Sequence, residues 1–101
     1  MANQTTDQTS AREENRKLAE NHAGHLNDFR AGTDYRYELD GAGRKWQRII
    51  RLVLDAEGRP VEHSRSACYF VNLENGNLHE AESWKRPRRW SLGHASTVTV
   101  G

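Results

Sequence analysis

A single cysteine, Cys68, leaves the chain unable to form a disulfide with itself. That fits a reducing compartment. No apolar run approaches the roughly 20 residues that span a bilayer, and the first residues lack the apolar core of a secretion signal. These absences predict a cytoplasmic protein without a membrane partner. Hydrophobic residues make up 35% of the 101 positions and charged residues 29%, so part of the chain is expected to stand outside any core. Catalytic patterns are missing as well. There is no glycine-rich phosphate loop, no G-x-S-x-G and no paired-carboxylate signature. His22 and His25 are three apart, a spacing that suits a metal only when further ligands converge, and no second Cys/His pair follows among His63, His79 and His94. His22 reads as a half-buried packing residue, His25 as a surface residue and Cys68 as a small buried apolar one. The expectation is a non-enzymatic protein with no catalytic residue, no metal and no cofactor.

The charge is present but unevenly spread. Residues 1–43 hold five Lys/Arg against eight Asp/Glu, and residues 44–101 hold ten against six, so a formal charge of +1 conceals an acidic first part and a basic second part. The basic excess forms two clusters. One is Arg44, Lys45, Arg48 and Arg51; the other is Lys85, Arg86, Arg88 and Arg89. Such clusters are either solvated surface or a patch for an acidic partner.

A chain of this length is one domain at most. Residues 1–9 are polar and read as a disordered tail, which leaves 10–101 as a single small α+β domain. Ser10 to Glu13 has the form of a capping box, and Leu18, His22, Leu26 and Phe29 recur at helical spacing. A helix is expected from about Ala11 to Arg30, with Gly24 as a point of weakness. Tyr35, Tyr37 and Leu39 alternate with polar residues, and Trp46 to Leu54 alternates while staying apolar on both faces. Ala67 to Leu73 gives a third strand. Asn75-Gly76 then marks a turn, and Leu78 to Trp84 gives a fourth strand. Thr97 to Val100 is either a short terminal strand or loose. The architecture predicted is one N-terminal helix packed on a four-stranded antiparallel β-meander. Its edge strands allow a homodimer.

The richest stretch is Trp84-Lys85-Arg86-Pro87-Arg88-Arg89-Trp90, four cations between two tryptophans with a proline that keeps the segment semi-extended. Cations and exposed aromatics are what a nucleic-acid surface needs, and Trp and Arg are equally enriched in protein-binding hot spots. The bland alternative is that the tryptophans close the core while the arginines are merely solvated. Trp84 is the better core candidate, since Leu78, Glu80, Glu82 and Trp84 would share one strand face.

The residues from Phe70 to Pro87 resemble the C-terminal signature of small bacteriophage-encoded proteins. There, a strand ending F-V-D precedes a G-D turn and then K-A-A-S-W-K-A-P-A-K. Phe70, Val71, Gly76, Ala81, Ser83, Trp84, Lys85 and Pro87 carry the match, while Glu80, Glu82 and Arg86 depart from it. The resemblance implies a phage or prophage origin, and hence a bacterial host cytoplasm, with a helix-plus-hairpin architecture. It brings no activity with it. The function expected is binding to a host or phage protein complex through Arg44, Lys45, Arg48, Lys85, Arg86, Arg88, Arg89 and Trp90, with direct nucleic-acid binding by the same residues as the alternative.

Overall fold

A computed structural model of the chain describes residues 3–29, 32, 34–41 and 43–98, with side chains from Ala11 onward. One helix, α1 (Asn3–Phe29), is followed by five strands: β1 (Tyr35–Asp40), β2 (Trp46–Val53), β3 (Ser66–Asn72), β4 (Asn77–Glu80) and β5 (Gly93–His94). The strands form one antiparallel sheet in chain order, β1-β2-β3-β4-β5. The fold is therefore the expected α+β arrangement, with a fifth two-residue strand added to the meander. Among the described residues no helix is long and apolar enough to cross a membrane.

α1 begins at Asn3, earlier than the sequence suggests. Seven of the nine residues read as a tail have helical backbone, and the helix runs straight through the Ser10 capping box. Polar residues such as Asn, Gln and Thr cost a helix only tenths of a kcal/mol each, and each residue added to an existing helix gains a backbone hydrogen bond. Polarity alone therefore does not end it. Met1 and Ala2 lie outside the described residues. Gly24 does not break the helix either.

The buried face of α1 is Ala19, His22, Ala23 and Leu26, packed on Tyr37, Ile49, Val71, Leu78 and Ala95. Two alanines let the helix lie close to the sheet, and they shift the buried stripe away from Phe29. That residue was expected on the core face and is 56% exposed. Full burial of a side chain such as Ile49 contributes roughly 1.5–3 kcal/mol. His22 is more deeply buried than anticipated, at 4% exposure. Its ring stands edge-on to Tyr69 at 5.3 Å. Burial lowers its pKa from the ordinary 6.5, and neighbouring His25 adds to the effect.

Side chains of α1 also tie the helix to the sheet by hydrogen bonds. Asn27 Nδ2 donates to the Tyr37 carbonyl at 2.9 Å, and the Tyr37 N–H donates back to Asn27 Oδ1 at 2.7 Å. In the β1–β2 ladder the Leu54 N–H reaches Asp34, so by alternation Tyr37 turns its backbone groups to the open edge. Asn27 occupies the place a neighbouring strand would take. Arg16 Nε donates to Gln47 Oε1 at 3.1 Å. Gln47 is 1% exposed and donates in turn to the Gly41 carbonyl at 2.7 Å, which fixes the β1–β2 turn.

The other sheet face is also covered. Ile50, Leu52 and Phe70 are buried there, at register positions on the side opposite Ile49 and Val71. Over Phe70 lies the Arg48 guanidinium, which also stacks on Trp84. Leu52 lines a depression with Pro60 and Val61 of the β2–β3 loop and with Trp84, so that loop and the chain beyond β4, where the candidate site lies, share this face.

Candidate binding face

β4 ends at Glu80, four residues short of the strand expected to reach Trp84. The chain turns back instead. Ala81 bridges Pro87, the Glu82 N–H donates to the Arg86 carbonyl, and the Arg88 N–H donates to the Glu80 carbonyl. Pro87 sits where neither of these bonds needs its missing N–H, so it costs the ribbon nothing. Ser83, Trp84 and Lys85 form the tip. The returning chain then pairs again with β4 at β5, where Leu78 faces Gly93. From Leu78 to Ala81 β4 advances three residues, while the chain from Pro87 to Gly93 spans six, so three residues are looped out. His79 fills the slip. Its Nδ1–H donates to the Arg88 carbonyl at 2.8 Å, and its buried ring packs edge-on to Trp46 at 4.8 Å. The bulge pushes Arg89 and Trp90 outward, and Trp90 is 60% exposed.

The tip folds over the sheet face opposite α1. Arg48, on β2, donates from Nε to the Trp84 carbonyl at 2.7 Å. Its guanidinium lies 4.5 Å from the Trp84 ring centre and 5.6 Å from that of Phe70, with Asp40 at 3.9 Å. Arg48 therefore acts as a clasp. Trp84 was expected in the core, but it is 38% exposed, because β4 stops before reaching it and its indole lies over the sheet as a lid. Arg51, on the opposite face of β2, stacks on Tyr35 at 4.6 Å and takes no part.

Two of the sequence-derived clusters therefore meet. Arg44, Lys45, Arg48 and Lys85 line one depression of about 200 Å³ together with Asp40, and Lys45 Nζ lies 5.7 Å from the Trp46 ring centre. Arg88, Arg89 and Trp90 line a separate one with Glu82, and the Arg88 guanidinium lies 5.6 Å from the Trp90 ring centre. Arg86 belongs to the connecting ribbon and is exposed. Among the described residues, Arg48 alone of these cations has an ion pair. Sequence reasoning missed the parts played by His79, Gln47 and Asn27. A polar residue inside an alternating strand was the one signal for Gln47, and an isolated Asn in a helix gave none. No group of three His, Cys, Asp or Glu side chains that could hold a metal occurs among the described residues.

No curated protein and no solved structure matches the chain. The model of a family of unknown function, DUF7717, matches residues 2–95, and the chain belongs to that family.

Proposed function

We propose that this is a phage-type binding protein that engages a host or phage protein complex through the face built by the Arg44–Arg48 turn and the Trp84–Trp90 segment. The observation that carries the reading is how the segment is held. Apart from the Trp84 ring against the Arg48 guanidinium, its anchors are main-chain atoms: the carbonyls of Trp84, Arg86 and Arg88 and the Arg88 N–H. The fold uses the backbone and leaves the exposed Lys85, Arg86, Arg89 and Trp90 side chains turned to solvent. Trp and Arg in such a setting have the composition of interface hot spots. The phage assignment is supported by the Phe70–Pro87 resemblance, whose Ser83-Trp84-Lys85 core forms the hairpin tip.

Because those anchors are backbone atoms, Arg86→Ala, Arg88→Ala and Arg89→Ala together should leave thermal unfolding unchanged. They should also abolish partner capture from nuclease-treated bacterial lysate, read by mass spectrometry. Equal capture by wild type and the triple variant contradicts the proposal.

A second reading, direct nucleic-acid binding, is favoured by the exposure of Trp90 beside Arg88 and Arg89, which suits stacking on an unpaired base. It ranks behind because the formal charge is +1. A mobility shift with single- or double-stranded nucleic acid at low salt, steeply weakened by added salt, would promote it. Absence of any shift removes it.

A further inference from the structure

The depression between the β1–β2 turn and the Ser83–Lys85 tip has a more specific character than the face around it. Its volume, about 200 Å³, falls below the roughly 300–1,000 Å³ of small-molecule and cofactor pockets, and it suits a single side chain. Four cations and one carboxylate line it. Arg48 and Asp40 are already paired, so Arg44, Lys45 and Lys85 are left with no ion pair among the described residues. These three cations come from two separate chain segments and repel one another across a small space. The aromatic rings of Trp46 and Phe70 form part of its wall and lower the local dielectric, which strengthens attraction to an anion. Asp40, also on the wall, opposes a doubly charged phosphate monoester more than a singly charged carboxylate, and between singly charged groups the small volume favours the carboxylate over the bulkier phosphodiester.

We infer that this notch reads a carboxylate: it takes an Asp or Glu side chain from an acidic segment of the protein partner, held between Lys45 and Lys85 with Arg44 at the rim. The inference rests on the binding function proposed above and names the chemistry of its partner. Asp40 and Arg48 are the positioning pair. Arg48 holds the tip through the Trp84 carbonyl, and Asp40, 3.9 Å away, offsets its charge at the notch wall.

The test is a fluorescence-anisotropy titration of the full chain at low salt with a short oligoglutamate peptide, and separately with a single-stranded oligothymidylate. The expected result is saturable oligoglutamate binding that weakens about five-fold with Lys45→Gln and about five-fold with Lys85→Gln. Arg59→Gln removes the same charge at the far end of β2 and should change binding less than about two-fold. A loss from Arg59→Gln equal to that from the lysines overturns the notch in favour of diffuse attraction. Tighter oligothymidylate binding that depends on the same lysines overturns the carboxylate in favour of phosphate. If the lysine variants bind oligoglutamate normally, or wild type does not bind it, while lysate capture still depends on Arg86, Arg88 and Arg89, the notch is wrong and the binding function stands.

Discussion

Gly76 takes φ +77° at the end of the β3–β4 loop. A Cβ there would meet His94 Nε2 at 2.5 Å and Asn15 Oδ1 at 2.8 Å. Asn15 is held in place because it donates to the Leu73 carbonyl at 2.7 Å. Gly76→Ala should therefore lose stability by about 1–3 kcal/mol in urea denaturation, from the left-handed backbone and the crowding together. Gly24 is the opposite case. It lies mid-helix with open space where a Cβ would go, so Gly24→Ala should gain about 0.5–1 kcal/mol in the same assay. His22 gives a pH signature. Its folded pKa lies below the unfolded 6.5, so the unfolded chain binds more protons between the two values. Stability is unaffected by this group above pH 6.5 and falls as pH drops from there through the folded pKa. Urea midpoints measured across that window should decline more steeply for wild type than for His22→Gln.

Among the elements, β1 is the one most exposed to unwanted pairing, and Asn27 guards its middle by bonding both backbone groups of Tyr37. Asn27→Ala should free that edge and cost about 1–3 kcal/mol for the buried groups left unpaired. The variant should self-associate in sedimentation at concentrations where wild type does not. A dimer through β1, one expectation from the sequence, has this amide in its way. The strands were legible because Tyr35, Tyr37 and Leu39, and then Trp46 to Val53, follow the period of two that a pleated sheet imposes. The helix was legible in its middle and at its C-terminal end, but not at its start. Propensity differences among Asn, Thr and Gln are too small to mark a start, and the small residues Ala19 and Ala23 carry the packing that Phe29 was expected to share. The end of β4 was hidden for a different reason. Nothing local to Leu78–Trp84 announces that the chain reverses at Ser83–Lys85, since that reversal depends on pairing between Ala81 and Pro87 and on the His79 bond across the slip. The Asn-Gly signal correctly marked a turn. The loop is longer than two residues, however, and within it Gly76 alone takes positive φ.

At the scale of the whole molecule, the sheet separates the helix from the face proposed for binding. α1 covers one face; on the other, the Trp84 indole and the β2–β3 loop stand against Leu52, while the hairpin beyond β4 presents cations and Trp90 outward. The candidate residues were legible as two basic clusters with flanking tryptophans. The meeting of Lys85 with Arg44, Lys45 and Arg48 at one depression was not, because it depends on Arg48 clasping the Trp84 carbonyl. Arg48→Ala removes that clasp. It should leave the global unfolding midpoint within about 1–2 kcal/mol of wild type, while amide exchange at Trp84 and Lys85 speeds up by at least about ten-fold. The Arg44–Arg48 turn and the Trp84–Trp90 segment are proposed as the contact face. Amide hydrogen exchange of the chain, free and in its captured complex, tests this most directly. Slowed exchange concentrated at residues 44–48 and 84–90 is the result expected. Unchanged exchange there, with slowing confined to α1 or to the loop between β2 and β3, would contradict it.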